Sequence, residues 1–428
     1  MQLFERYLGD IAALIDGSRR DCIFDSARAN LALDGEPNRV LRRALPLAFL
    51  RSKGIFLTGN ELSTHLASKI LEHAENIERF VDPACGAGDL LIACAYNFPV
   101  KGSLKQTLTE WNDRLMGSDI VPQLVQATRL RLALTAAVRG AKVDISSREV
   151  RKILSNIKLR NALHAWEVAP GSVLVLNPPF TLGKATRTCS WATGRITRAA
   201  RFVERCLKAG PTGTMIAAIL PEVLRTGPRY RSWRVFVEQN AEILDVCSLG
   251  LFDTVTDVDV FSLFLRVGHG ARSRIGSWLQ PQTDQRTTVG DLFDVHVGAV
   301  VPYRHPDLGA WCLYIQPRVL PPWRTVDQVS QRIRSMHVCQ PPFVAIRRTS
   351  RPGDKFRCIG TLVSCGRPVA VENHLIVASP KDGAAETCRA LLQNLQKDAT
   401  NKWFDSTSRC RHLTVRAVRD LPLWGRLK

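Results

Sequence analysis

The sequence predicts an α/β fold built on a mostly parallel sheet, and three observations carry that expectation. From about residue 51 to 268, short apolar runs alternate with amphipathic stretches ("RFVDPA", "RLMGSDI", "VPQLVQATRLRLALTAAV", "SVLVLN", "AARFVERCLKA", "GTMIAAILP", "AEILDVCSL", "DVFSLFLRVG"). That is the pattern of strands linked by helices. The glycine-rich turn "CGAGD" directly follows the first of these runs, at the carboxyl end of a strand, where open α/β sheets bind ligands. Finally, "VLVLNPPF" at 173–180 ends an apolar run abruptly in a polar amide, two prolines and an aromatic ring.

Around this central region, residues 1–50 read as a helical lead. "LFERYLGDIAALI" has helical spacing, and Pro37 in "PNRVLRRALPLAFLR" suits a first helical turn, where its missing N–H is not needed. The α/β domain occupies 51–268. "HGARSRIGSWLQPQTDQRT" reads as a linker, and a second domain of α+β character spans 285–428. That last part holds 22 Lys and Arg against 11 Asp and Glu, about half of the excess positive charge.

The 428 residues leave room for two or three domains. With 45% hydrophobic and 23% charged residues, the chain falls in the globular class and outside the disordered one. The net charge of +20 favours polyanionic partners, nucleic acid above all. The amino terminus lacks the basic, apolar and small-residue regions of a secretory signal, and no apolar run reaches membrane-spanning length; a cytoplasmic protein without membrane contact is expected. Twelve cysteines are scattered with no CxxC pair and no Cys/His spacing suited to zinc, so buried thiols and no metal are expected.

"RFVDPACGAGDLL" predicts a strand at 79–82, a tight loop, and a helix capped by Asp89. Gly86 and Gly88 let backbone approach a ligand. No Gly-Lys-Ser/Thr follows, so the loop is not a P-loop, and it lacks the third glycine of a dinucleotide fingerprint. Asp119 closes the next strand, "RLMGSD", where it either binds both hydroxyls of a ribose or caps the following helix.

Taken together, "DPACGAG" at 82–88, Asp119 and "NPPF" at 177–180 occur in the order found in the amino-group methyltransferases that act on DNA with S-adenosyl-L-methionine, and the chain resembles the N6-adenine branch of that family. The resemblance covers roughly 50–270. It implies a doubly wound, Rossmann-like methyltransferase sheet. It also implies that Asp82, Pro83, Ala84, Cys85, Gly86 and Gly88 bind the cofactor, and that Asp119 holds its ribose. "RNAL" places Asn161 where an acidic residue often lies near the cofactor's adenine. "KGIFLTGNEL" resembles the first cofactor motif, with Gly59 in place of the usual proline; Thr58 either bonds the methionine carboxylate or caps a helix. Phe252 in "LGLFDTVTD" is either a second aromatic facing the target base or a core residue at a strand end.

The chemistry explains Asn177, Pro178, Pro179 and Phe180. The lone pair of adenine's exocyclic nitrogen is delocalised into the ring, so acceptors on its two N–H groups are needed to localise it. The resemblance implies that the Asn177 side-chain oxygen and the Pro178 carbonyl supply them by position and electrostatics, without a strong base. The prolines fix φ and remove competing N–H donors. On that resemblance, Phe180 would stack on an adenine flipped from the duplex.

Asn-Pro-Pro-aromatic is also found in enzymes that methylate RNA guanine or a glutamine amide, so an RNA or protein-glutamine amide methyltransferase stays open, as does a catalytically inactive DNA-binding specificity protein. Favouring DNA, "TLGKATRTCSWATGRITRAARF" carries Lys184, Arg187, Arg195 and Arg198 with no acid before Glu204, suiting a mobile loop that closes on phosphates. The C-terminal region resembles the target-recognition region of type I and type IIG-like restriction-modification proteins, with Arg409, Arg411, His412, Arg416 and Arg419 available to DNA. The resemblance thus implies a bacterial site-specific DNA adenine-N6 methyltransferase of a restriction-modification or phage-defence system. Its partners would be double-stranded DNA and a separate restriction endonuclease or specificity subunit, and its place the cytoplasm, on the nucleoid when bound.

Overall fold

In the computed structural model, which describes residues 2–424 apart from 22, 75, 165, 254–255, 257, 269–277, 279–286, 351–353 and 408–411, the chain divides into two units, 1–277 and 278–428. The expected linker falls almost wholly outside the described residues.

The first unit opens with five helices, α1 (Gln2–Asp21), α2 (Ser26–Leu33), α3 (Glu36–Ala44), α4 (Leu47–Lys53) and α5 (Asn60–His73). Pro37 stands in the first turn of α3, while Pro46 caps α4; a proline cannot continue a helix, so the run from 37 to 51 breaks in two. Phe4, Tyr7, Leu8, Ile11 and Ile15 recur at helical spacing and are all buried, in the same core as the strands that follow. Residues 1–50 therefore share one core with the α/β region.

The sheet is laid down by β1 (Arg79–Asp82), α6 (Asp89–Ala95), α7 (Leu104–Arg114), β2 (Leu115–Asp119), α8 (Pro122–Val138), α9 (Ser147–Ile153), β3 (Ile157–Leu159) and β4 (Ser172–Leu176). A short hairpin, β5 (Leu182–Lys184) and β6 (Arg195–Thr197), precedes α10 (Arg198–Ala209), β7 (Met215–Pro221), α11 (Val223–Thr226), α12 (Arg231–Asn240), β8 (Ala241–Leu251) and β9 (Asp259–Val267). Strand order is β3-β2-β1-β4-β7-β9-β8, parallel through β7, with β9 antiparallel to both its neighbours. β4 and β7 are buried along their whole length, which is why they read as continuous apolar runs. β1 and β4 lie side by side, Val81 opposite Leu174, and the chain order reverses there: β2 and β3 lie on one side, β4 and β7 on the other. The carboxyl ends of these two strands thus border the crevice in which open α/β sheets hold ligands. α8 is buried on nearly every side because α1, α2, α6, α7 and α9 surround it, and it carries the fully buried Arg131 inward.

The second unit comprises α13 (Val289–Leu292), β10 (Phe293–Val297), β11 (Ala310–Ile315), β12 (Thr325–Val326), β13 (Arg332–Ser335), β14 (Phe343–Arg347), β15 (Gly360–Val363), β16 (Val369–Val371), β17 (Leu375–Pro380), α14 (Ala385–Leu395), α15 (Asp398–Thr407) and α16 (Val415–Arg419). A five-stranded sheet, β10-β17-β14-β15-β12, buries Val344, Ile346 and Ile376 against Cys388, Leu391 and Phe404 of the helices. The alternate residues Phe343, Ala345 and Val377 form a second cluster with Ile315 of a three-stranded sheet, β13-β11-β16.

Candidate functional site

The glycine loop at 82–88 closes on itself. Ala84 N donates to Asp82 Oδ1 at 2.9 Å, Ser118 Oγ to the Pro83 carbonyl at 3.1 Å, and Cys85 N to the Ser118 carbonyl at 2.9 Å. Gly86 and Gly88 hold φ of +53° and +89°, and a Cβ at Gly88 would stand 2.8 Å from Thr128 Cγ2; both positive φ and close packing demand glycine there. Asp119, at the end of the adjoining β2, accepts from Gly86 N at 3.1 Å and from Val121 N at 2.9 Å. Each carboxylate oxygen accepts one bond here and retains a further lone pair.

The segment 54–59 ties this loop to the end of β4. Asn177 Nδ2 donates to Thr58 Oγ1 at 2.9 Å and more weakly to the Phe56 carbonyl at 3.5 Å. Gly54, with φ +71°, passes so close that a Cβ would fall 2.7 Å from Pro179 Cβ, and a Cβ on Gly86 would meet Leu57 Cδ2 at 2.9 Å. With its amide nitrogen held, Asn177 turns Oδ1 toward no donor among the described residues, nor does any reach the Pro178 carbonyl. Thr58 does not cap α5; Gly59 occupies the cap without a side-chain bond.

Asp89 corrects the sequence expectation. Gly88 is the N-cap of α6 and Asp89 its first residue, making no cap bond. Its carboxylate instead accepts from Gly59 N at 3.0 Å and pairs with Arg131 at 2.7 Å, both side chains buried. Arg131 also donates to the carbonyls of Ala87 and Leu33, so one guanidinium joins the glycine loop, the 54–59 segment (through Asp89) and the end of α2. The departure at Gly59 now has a cause. The residue holds φ +75° and donates its N–H; proline can do neither.

Burial pushes the Asp82 carboxyl up to about 8, against the bond from Ala84 N and with the neighbouring Asp119 and Asp89 adding to the rise; burial also raises Asp119, opposed by the bonds from Val121 and Gly86. A raised carboxyl in the folded state has a definite linkage sign. Between the unfolded value near 4 and the folded value near 8, the folded protein binds the extra proton, so stability falls as pH rises through that window and levels off above it. Asp82→Asn is therefore expected to grow more stable relative to the parent as pH goes from 5 to 8, by roughly a few kcal/mol of unfolding free energy at the upper end. Thermal denaturation across that range checks it; a difference independent of pH would show that Asp82 is not the titrating group.

Phe180 is half-buried at the rim and meets the Phe252 ring edge-on, centroids 5.8 Å apart; Phe252 in turn meets Phe56 at 6.5 Å. Phe252 is 6% exposed and lies within the core cluster, so it backs Phe180 instead of presenting a free face. The Phe180 carbonyl accepts from Thr197 Oγ1 at 3.1 Å, and Thr197 N donates to the Tyr230 hydroxyl at 3.1 Å.

The stretch expected as a mobile loop is partly built: β5 and β6 pair with Lys184 opposite Arg195, and Arg201 and Arg229 donate to the carbonyls of those two residues. Lys184, Arg187 and Arg195 are exposed and Arg198 half-buried. Like charges directly opposite each other on a hairpin are unfavourable unless an anion lies over them.

Asn161 follows β3, beside Asp119, whose carbonyl accepts from Arg160 N at 2.9 Å. It is exposed, and its Oδ1 accepts from Leu163 N at 3.1 Å, a turn that Asp would make equally well. In the second unit, Arg416 pairs with Asp420 on the exposed side of α16, and Arg409 and Arg411 lie outside the described residues.

Sequence reasoning missed Arg131 and Phe56, whose partners lie far along the chain. It also missed a cavity of about 490 Å³ between α5 and α6, lined by Asn60, Ser63, Asp89 and Tyr96, of which only Asp89 is singled out from the sequence. Among the described residues no His, Cys, Asp and Glu cluster could hold a metal, and no helix is long and apolar enough to cross a membrane.

No protein-family model matches the chain, and no curated protein matches it. Solved structures similar to it are class I S-adenosylmethionine-dependent methyltransferases and restriction-modification enzymes of types I, IIG and IIL. The type IIL restriction-modification enzyme MmeI, solved in complex with DNA, aligns over 89% of this chain and 66% of its own, at 12% identity and a TM-score of 0.49. The type IIG restriction endonuclease BpuSI aligns over 91% and 61%, at 14% identity and a TM-score of 0.44. A Listeria monocytogenes protein assigned to the class I methyltransferases aligns over 66% and 90%, at 14% identity and a TM-score of 0.37. The chain thus spans less than two thirds of the length of either restriction enzyme.

Proposed function

We propose that the chain is an S-adenosyl-L-methionine-dependent DNA adenine-N6 methyltransferase of the restriction-modification kind, with residues 285–428 as its target-recognition domain. The observation that carries this reading is the state of Asn177: its nitrogen anchored on Thr58, its oxygen open, at the carboxyl end of β4 next to the glycine loop.

The residues fit the cofactor. Left-handed glycines shape the loop 82–88 so that its backbone can meet a ligand, and Asp119 keeps acceptor capacity beside it for a ribose. When bound there, S-adenosyl-L-methionine supplies an electrophilic methyl group. The chain's own groups do the rest. Asn177 Oδ1 and the Pro178 carbonyl accept from the two N–H groups of the target amine and turn its lone pair out of conjugation; the acceptors are positioned before the reaction and cost no reorganisation during it. Phe180, backed by Phe252 and Phe56, offers a face to an unstacked base. The β5–β6 hairpin, which Thr197 ties to the Phe180 carbonyl, carries cations that suit the phosphates on either side of a flipped nucleotide.

The test is to map modified adenines in DNA from cells expressing the protein. N6-methyladenine confined to one sequence context is the expected result. Methyl groups found only in RNA or on protein glutamine would transfer the mechanism to another substrate and overturn the DNA reading.

A further inference from the structure

The second unit carries a surface on which exposed aromatic rings alternate with guanidinium groups. β11 and β13 pair antiparallel, with Trp311 opposite Arg334 and Leu313 opposite Arg332; on this side of the pair Leu313 packs inward on the cluster around Ile315, while Trp311 and Arg332 stay exposed at its margin. Trp311 is 70% exposed. The loop 301–309 folds against the same end of the two strands: a His305 ring nitrogen bonds the Arg334 carbonyl at 3.0 Å, and Arg334 Nε donates to the Gly309 carbonyl at 3.1 Å. That loop holds Tyr303 with its ring fully in solvent and φ at +63°, a conformation costly for a bulky residue. Arg304 and Arg332 are exposed and make no ion pair among the described residues, while Asp307 reaches Arg334 at 4.0 Å. Met336 and His337, also exposed, continue the patch beyond β13.

Two large rings in water beside unpaired cations are unfavourable alone and complementary to one kind of partner, a polyanion that also has flat apolar faces and edges. Phosphates neutralise the arginines, and sugars or bases cover the rings. We propose that this exposed margin of β11 and β13, with the 301–309 loop, is the surface through which the second unit holds duplex DNA. The inference rests on the reading that DNA is the substrate. Arg304 and Arg332 contact phosphates, and Tyr303 and Trp311 pack against the sugar–base edge between them.

The test uses the full chain and a fluorescently labelled duplex of mixed sequence, titrated by anisotropy over a series of salt concentrations. Trp311→Ala and Tyr303→Gly are each expected to weaken binding about tenfold; glycine suits the left-handed backbone at 303, so misfolding cannot account for that loss. The double substitution Arg304→Gln with Arg332→Gln is expected to reduce the log–log salt slope by about two. Calorimetric affinity for S-adenosyl-L-methionine should stay unchanged in all of them. Variants that bind duplex with the parent's affinity and slope would overturn the inference and leave the DNA reading intact. A parent protein that binds tRNA or an acidic polypeptide but not duplex would overturn both.

Discussion

Asn177→Ala is expected to slow single-turnover methyl transfer to duplex DNA by on the order of 10² to 10³, the loss that follows removal of one preorganised hydrogen bond in a transition state. Affinity for S-adenosyl-L-methionine should change little, because the glycine loop is held by Asp119, Thr128 and its own backbone, and the 54–59 segment keeps its tie from Gly59 to Asp89. Asn177→Asp is the informative partner. A carboxylate still accepts from the target amine, and the Thr58 hydroxyl, which accepts from Asn177 Nδ2, can rotate and donate to it instead. That variant should keep part of the activity. Phe180→Ala should weaken capture of the base more than it disturbs cofactor binding. The measurements are transfer of labelled methyl groups under single-turnover conditions and calorimetric titration of the cofactor. Transfer by Asn177→Ala at the parent's rate would sink the mechanism, and loss of cofactor binding would reassign Asn177 to shaping the pocket.

The second large effect concerns stability. Arg131→Met should cost about 3 to 5 kcal/mol, because it strands the buried Asp89 carboxylate and removes donors from the Ala87 and Leu33 carbonyls. Asp89→Asn combined with Arg131→Met should recover much of that loss, since no uncompensated charge then remains, and the asparagine oxygen can still accept from Gly59 N. Urea denaturation of the single and double variants measures both. A single variant within 1 kcal/mol of the parent would mean that the pair contributes little to the fold.

What the sequence made legible follows from the range of each constraint. The glycine loop was readable because left-handed glycines and the strand before them are local, and Asn177 was readable because two prolines after an apolar run leave few alternatives. β8 and β9 could be read as strands, but their antiparallel placement could not, since pairing partners are chosen by packing across the whole sheet. Asp89 reads as a helix cap because its position invites one, and only a partner 42 residues away overrules that local preference. Phe252 was ambiguous between core and site for a related reason: its neighbours, Phe56 and Phe180, come from two distant segments. The run after Phe180 reads as a loop because its strands, Leu-Gly-Lys and Arg-Ile-Thr, are three residues long, too short for an alternating pattern to register.

The bond from Gly59 to Asp89 also bears on how such chains diverge. Proline at position 59 would delete the N–H that Asp89 accepts and forbid the backbone angle that presents it, while changing Asp89 would strand Arg131. The three positions are therefore constrained to drift together, and a lineage with proline at the first of them needs a different pairing at the other two. Among relatives, the residue at 59 should predict the residues at 89 and 131 better than it predicts whether the chain transfers a methyl group.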